Sequence, residues 1–344
     1  MRLIHQEQIL ENLIISLGEK QTEFRWRKKM ATTAKIEVKN KDLLASLQEF
    51  LKLVLQQNHI GAILVPQHLP MKDVVMPALV TDPEVLDCAD PLAPSFPVNA
   101  AKLLSRLTRK PSGTKIAAVL RPCEIRAFIE LVKLKQGNTE DLILISTDCL
   151  GAYGNVDYAG IVEKEGSDTS SKFYKNALSG KNPPFEGVRI ARACRACEHP
   201  VSEGADVVIG LLGIDIDNEL FLEAKTSSGE ELLASIDISS TEEPKQRKEA
   251  IKALVDERIA YRDKMFSENK DLTGDLEKLS QYLAGCVNCY NCRVACPVCY
   301  CRECVFVTDV FDHDSSQYLR WARRKRSIKM PTDTVFYQDR KSVV

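Results

Sequence analysis

What this 344-residue chain lacks narrows its class first. No uncharged apolar run approaches the ~18–20 residues that cross a bilayer; the longest, such as Ile116 to Leu120, are strand-sized, so no transmembrane segment is expected. Neither sign of charge is in excess, since 47 Lys and Arg stand against 48 Asp and Glu. A net charge of −1 gives no overall field to hold DNA or RNA, and nucleic acid is excluded as the leading partner. Histidine is scarce: there are five, His5, His59, His68, His199 and His313, and no pairing among them suggests a nucleophile–base unit. No Gly-x-Gly-x-x-Gly occurs, so a Rossmann-type pyrophosphate site is not supported. No secretory signal precedes the body of the chain, and a cytoplasmic setting is expected. With 44% hydrophobic and 28% charged residues the chain is not predominantly disordered. Its length suits two domains at roughly 100–200 residues each.

Cysteine, by contrast, is abundant. The twelve are Cys88, Cys123, Cys149, Cys194, Cys197, Cys286, Cys289, Cys292, Cys296, Cys299, Cys301 and Cys304. The last seven are separated by only one to three residues, too close for a disulfide framework in a chain this long, so metal ligation is the better reading.

From residue 40 to 220 helical and strand patterns alternate. Leu43, Leu44, Leu47, Phe50, Leu51 and Leu55 make one helical face, and Ala62 to Val65 is a short buried run. A proline-rich stretch, Pro66 to Pro97, reads as loop. Ala100 to Leu107 reads as helix, Lys115 to Leu120 as strand, Glu124 to Gln136 as helix and Leu142 to Ser146 as strand. A polar stretch, Glu163 to Gly187, interrupts the alternation. Ala205 to Gly210 is a further strand, and Glu243 to Lys264 a long charged helix. This order implies an α/β fold around a largely parallel sheet. At the amino terminus Ile9, Leu10, Leu13, Ile14 and Leu17 recur at helical spacing, and Met30 opens a second plausible start; residues 1–29 are either an extension or part of the fold.

The cysteines fall into two constellations. Cys123 stands in Arg121-Pro122-Cys123-Glu124, where strand gives way to helix. Cys149 follows the next strand, and Cys194 and Cys197 form a Cys-x2-Cys. Thiolates at strand ends and a helix start can converge on one sheet edge, and four of them is the set a [4Fe–4S] cluster needs. Spacing alone leaves open that Cys123 and Cys149 are small buried side chains and that the Cys194/Cys197 pair serves zinc. The second constellation is more specific. Cys286, Cys289, Cys292 and Cys296, followed by Pro297, fit the Cys-x2-Cys-x2-Cys-x3-Cys-Pro run of bacterial ferredoxins, whose fourth cysteine usually serves another cluster. Zinc ribbons space their pairs ~15–20 residues apart instead. Cys299, Cys301 and Cys304 would let this segment hold one cluster with spare thiols or contribute to two.

Three places resemble the beta subunits of coenzyme F420-reducing hydrogenase and of the related formate dehydrogenases. Lys115 to Leu131 is similar to the family's strand, Pro-Cys-Gln/Glu turn and helix. Asp148-Cys149-Leu150-Gly151 is similar to its Cys-x-Gly segment. Ala193-Cys194-Arg195-Ala196-Cys197-Glu198, with Gly204 to Gly210 downstream, resembles its Ala-Cys-Arg-x-Cys-x-Asp signature. The resemblance implies an α/β flavin-binding domain with a small carboxy-terminal ferredoxin-like [4Fe–4S] module. It implies an FAD-containing electron-transfer subunit carrying two or three [4Fe–4S] clusters, with Cys123, Cys149, Cys194 and Cys197 as one ligand set. The partners it implies are hydrogenase, formate dehydrogenase or heterodisulfide reductase subunits, with F420 or another hydride donor. The cysteine-dense segment leans toward the heterodisulfide-reductase-linked members. Departures are Arg121 and Glu124, where Thr and Gln are common, and Glu198 in place of Asp. A non-redox zinc scaffold and a flavin-free ferredoxin-type carrier are the rival readings.

By the same comparison the flavin belongs near Asp90 to Lys102, including Asn99 and Lys102, and near Arg121, Pro122 and Glu124; read without it, these residues are a proline-rich surface loop with a helix cap. The expected organisation is an extension at 1–39, the flavin and iron–sulfur domain at 40–240, a helical connector at 241–280, and the ferredoxin-like segment with a basic tail at 281–344. The tail, Arg320, Arg323, Arg324, Lys325, Arg326 and Lys329, is either a solvated helix face or a docking face for an acidic partner. Relatives often run past a Pro-Thr-Asp-Thr segment into another cysteine run. Here Pro331 to Thr334 is followed by only ten residues, and a missing carboxy-terminal piece would explain why Cys296, Cys299, Cys301 and Cys304 lack a full partner set.

Overall fold

The computed structural model describes residues 33–69, 74–236, 238–287, 289–300 and 315–326. A seven-stranded mixed sheet organises them. Its strands are β1 (Thr33–Glu37), β2 (Ile60–His68), β3 (Val75–Val80), β4 (Lys115–Leu120), β5 (Leu142–Thr147), β6 (Val207–Gly210) and β7 (Glu219–Ala224), in the order β1-β7-β6-β5-β4-β2-β3. The four central strands β2, β4, β5 and β6 are parallel, while β3, β7 and β1 are antiparallel to their neighbours.

Both faces are covered, as a parallel centre requires. In β4, Ile116, Ala118 and Leu120 enter one core while Ala117 and Val119 enter the other; in β5, Leu142 and Leu144 oppose Ile143 and Ile145 in the same way. That alternation is the two-residue period of a strand. Helices α2 (Ala101–Leu107) and α3 (Pro122–Lys133) close one face through Ala101, Leu104, Ile125, Phe128 and Leu131. The other face is closed by α1 (Leu43–Leu55), α4 (Asn155–Glu165), α5 (Thr169–Leu178) and α7 (Ser227–Ser235); α6 (Arg192–Arg195) is a single turn. The capping Asp42, whose Oδ1 accepts from the Ala45 N–H at 3.0 Å, starts α1 where the apolar periodicity begins.

The long helix α8 (Lys245–Thr273) lies beyond the sheet in sequence but not in space. Ala250, Ile251 and Leu254 pack on the larger core, and Arg247 and Arg258 are buried. Beyond it come α9 (Leu276–Leu283), α10 (Asn291–Ala295) and α11 (Ser315–Lys325). Among the described residues no helix is long and apolar enough to cross a membrane.

Four sequence expectations need correction. The Pro66–Pro97 stretch is not all loop, because β2 runs on to His68 and β3 pairs with it, Pro66 standing opposite Pro77. Neither proline breaks an inner ladder: β4 pairs only with Ile60–Leu64 of β2, and β3 is an edge strand. The polar stretch Glu163–Gly187 contains α5, which buries Phe173 and Tyr174. Thr33–Glu37, placed in the amino-terminal extension, is the strand beside β7. And α8, read as connector, is part of the packed body. The amphipathic pattern at residues 6–17 lies outside the described residues.

Candidate redox site

The sheet's parallel centre fixes where chemistry can gather, since loops leaving the carboxyl ends of parallel strands share one edge. The end of β4 passes through Arg121 into α3, putting Cys123 in its first turn; the end of β5 passes through Asp148 to Cys149. Cys194 lies in α6 and Cys197 just after it. Cys194 lies beside Gly151, two residues past Cys149, where an added Cβ would stand 3.3 Å from the Cys194 Cβ. The protein around Cys123 pushes its thiol up, Cys149 and Glu124 add to this, and Arg121 draws it down. Burial also raises the Cys149 thiol, with Arg121 and Arg258 opposing.

Three devices hold this edge. Asp148, fully buried, accepts from the Leu211 and Leu212 N–H groups at 2.8 and 2.9 Å and from Arg247 of α8 at 2.5 and 3.1 Å. Gly210 makes room for that guanidinium, as a Cβ there would lie 2.7 Å from Arg247 Nη1. Arg258, 4% exposed, donates to the Cys149 carbonyl at 3.1 Å and the Cys197 carbonyl at 3.3 Å, tying two of the cysteine segments together. Gly151, at φ +115°, takes a conformation closed to other residues; a side chain would also meet Ile190 at 2.6 Å and Cys194 at 3.3 Å. Glu198, the departure from Asp, pairs with Arg262 of α8.

The residues named for the flavin are engaged with the protein itself. Arg121 donates to the Ala93 and Ser95 carbonyls at 2.5 Å each and stacks over Phe96. Glu124 accepts from the Ala100 and Arg121 N–H groups at 2.8 and 3.0 Å, Asn99 Oδ1 accepts from the Ala101 N–H at 3.0 Å, and Pro122 opens α3. Phe96, Ala100, Arg121 and Glu124 line a small cavity of about 20 Å³ beside β2 and β4. Lys102 donates to the Val294 carbonyl at 3.3 Å, bringing the cysteine-dense segment to this face, where Val298 and Tyr300 pack on the smaller core.

In that segment Cys286, Cys289 and Cys292 are exposed and Cys296 and Cys299 half-buried. Cys301 and Cys304 lie outside the described residues. Arg320, Arg323, Arg324 and Arg326 are exposed on and just after α11, whereas Lys329 lies outside the described residues. Among the described residues no group of three or more His, Cys, Asp or Glu is spaced to grip one metal ion. The ten described cysteines are all free of disulfides. Free thiols beside two guanidinium groups, one of them at a helix amino terminus, suit a thiolate-ligated iron–sulfur cluster. Sequence reasoning missed Arg247 and Arg258; both sit among the many charges of α8 with nothing in their spacing to single them out.

The chain thus has a mixed α/β fold with cysteines at the carboxyl edge of its parallel strands. No family model matches it. It is 27% identical over 236 residues to the F420-dependent formate dehydrogenase 1 subunit beta of Methanococcus maripaludis, covering 58% of each chain. It is 24% identical over 239 residues to the F420-dependent formate dehydrogenase subunit beta of Methanocaldococcus jannaschii, covering 63% of this chain and 62% of that one. The alignments thus span about three fifths of the length of these curated relatives. A chain of the F420-reducing [NiFe] hydrogenase complex from Methanosarcina barkeri has a similar fold, with a TM-score of 0.52 at 16% identity over 72% of this chain and 94% of that one. The chain is therefore similar in sequence to formate dehydrogenase beta subunits and in fold to a chain of the F420-reducing hydrogenase complex.

Proposed function

We propose that this protein is an iron–sulfur flavoprotein subunit that passes electrons between FAD, [4Fe–4S] clusters and a partner subunit of a cytoplasmic hydrogenase- or formate dehydrogenase-type complex. The observation that carries the reading is that Cys123 and Cys149 follow adjacent parallel strands, with Cys194 beside Gly151 and the Cys149 and Cys197 carbonyls joined through Arg258. Flavin supplies the exchange of a two-electron hydride for single electrons, which clusters accept one at a time.

The chain's own residues place these groups. Cys123, Cys149, Cys194 and Cys197 hold one cluster; Cys286, Cys289, Cys292 and Cys296 hold a second, with Cys299, Cys301 and Cys304 available to a third. Arg121 fixes the 93–96 loop and, with Asn99, Lys102, Pro122 and Glu124, borders the flavin. The Lys102–Val294 bond and the packing of Val298 and Tyr300 set the separation between the two cysteine sets. The exposed arginines of α11 face an acidic partner, and charge reversal at Arg323 and Arg326 weakens its co-purification. F420 is the hydride donor to test first, followed by NAD(P)H. The heterodisulfide-reductase-linked grouping rests on the dense segment alone.

Anaerobic purification with iron, acid-labile sulfide and flavin quantified per chain tests the proposal. About eight irons with one FAD are expected, or about twelve with a third cluster. Zinc without sulfide or flavin overturns it in favour of a scaffold, and iron without flavin in favour of a simple carrier.

A further inference from the structure

The short helix α9 (Leu276–Leu283) touches α8, yet every one of its residues is exposed. Isolated helices below ~12–15 residues are marginal in water, so one this short calls for a packed face. Leu276, Leu279 and Leu283 recur at i, i+3 and i+7, which puts them on one stripe, and exposures of 83%, 38% and 55% leave that stripe uncovered among the described residues. Tyr282, also exposed, flanks it on the same side as Asp275. Glu277, Lys278 and Gln281 fall on the opposite side of the helix. The stripe and its borders therefore carry one charge only, that of Asp275, whose Oδ1 caps α9 by accepting from the Lys278 N–H at 2.8 Å. Depletion of charge around an apolar centre is the composition of an interface core.

The symmetry of the stripe says what covers it. Laid antiparallel on a second copy, Leu276 falls opposite Leu283 of that copy, and Leu279 meets its own counterpart near the two-fold axis. Asp275 then falls opposite Tyr282, whose hydroxyl can donate to it, and no like charges are opposed. The exposed Leu272 before the helix and Val287 after it continue the apolar strip at its two ends. A net charge of −1 per chain gives two copies no long-range repulsion to overcome. Covering these side chains on both copies removes on the order of 1,000 Å² of surface, the lower bound for a specific interface, and suits a dissociation constant of about 1–100 µM.

We infer that α9 is the seam of a symmetric dimer of this chain, its leucine stripe covered by the same stripe of a second copy. The Cys286 N–H donates to the Leu283 carbonyl at 2.9 Å, so the dense cysteine segment starts on the last turn of this helix, and the dimer sets the two copies' segments at opposite ends of one helix pair. Neither clusters nor flavin are needed for the pairing, which stands or falls independently of the function proposed above.

Sedimentation equilibrium of the anaerobically purified full-length chain over about 1–200 µM tests it. The average mass rises with concentration toward twice that of one chain. The double change Leu276→Lys/Leu283→Lys, at two exposed positions, weakens association at least about tenfold and leaves the melting temperature unchanged. Tyr282→Glu, which sets a carboxylate against Asp275 of the second copy, also weakens it at least about tenfold, whereas Tyr282→Lys, which sets an ammonium there, costs less than about threefold. A mass of one chain throughout, which would leave the stripe to a different protein or to another segment of the same chain, overturns the proposal. So does a dimer unaffected by the leucine changes, or equal losses from Tyr282→Glu and Tyr282→Lys.

Discussion

Cys123, Cys149 and Cys194 come from three distant stretches of chain and share one side of the sheet because two adjacent parallel strands end there and a short turn packs beside Gly151, Cys123 being exposed and the other two half-buried; Cys286 to Cys299 follow one another within a few residues and stand largely at the surface. The first set owes its geometry to tertiary structure: a buried Asp148–Arg247 pair, an arginine shared between two cysteine carbonyls, and a glycine that keeps the turn close. The second set carries its ligand spacing in its sequence and needs from the fold only a place to rest, which Lys102, Val298 and Tyr300 provide. On the proposed reading, the set written in spacing survives damage to the sheet and the one assembled by the sheet does not.

The sharpest way to break this contrast is Asp148→Ala, which leaves Arg247 buried and unpaired. A loss of about 3–5 kcal/mol in folding stability is expected by denaturant unfolding, and a loss below about 1 kcal/mol would mean that the pair does not brace the edge. Next come paired ligand changes. Cys149→Ser is expected to remove about four irons per chain and leave the dense segment's cluster, while Cys289→Ser removes the complementary four; either change emptying both sets would show that they are not independent.

Chemical labelling sharpens the same comparison. Burial raises the Cys149 thiol, so in the metal-free chain it is protonated near neutral pH and alkylates more slowly than the exposed Cys286 and Cys289 by peptide mapping. Because burial raises the folded-state value of Cys149 above the ordinary 9.0, its contribution to stability is present below pH 9 and is lost as pH rises above it. A metal-free chain whose stability climbed above pH 9 would contradict the assignment. The smallest effect is Asp42→Ala, far from either set: removal of the α1 cap costs about 1 kcal/mol and changes no iron content.

The parallel core was legible because each central strand is a short apolar run between helical patterns; β4 was read with its observed ends. The antiparallel strands were not. In β1 Ala34 and Ile36 alternate with polar residues over only five positions, β7 is a short apolar run, Leu220 to Leu222, between glutamates, and β3 is hidden by prolines whose missing N–H groups cost nothing at an edge. The ferredoxin-type spacing of the dense cysteines is readable in the sequence itself. The dispersed four became persuasive only with the family resemblance, since their proximity arises from strand register. Arg258 was not legible at all: one arginine in a highly charged helix is singled out only when two cysteine carbonyls point at it.

The most direct measurement removes the dense set altogether. In the full-length chain Cys286, Cys289, Cys292, Cys296, Cys299, Cys301 and Cys304 are replaced by serine, and iron, sulfide and the dithionite-reduced electron paramagnetic resonance spectrum are recorded after anaerobic purification. About four irons and four sulfides with a reduced [4Fe–4S] signal are expected, held by the sheet edge alone. A folded chain with no iron and sulfide, or one binding zinc instead, would contradict the assembly of a cluster site from Cys123, Cys149, Cys194 and Cys197.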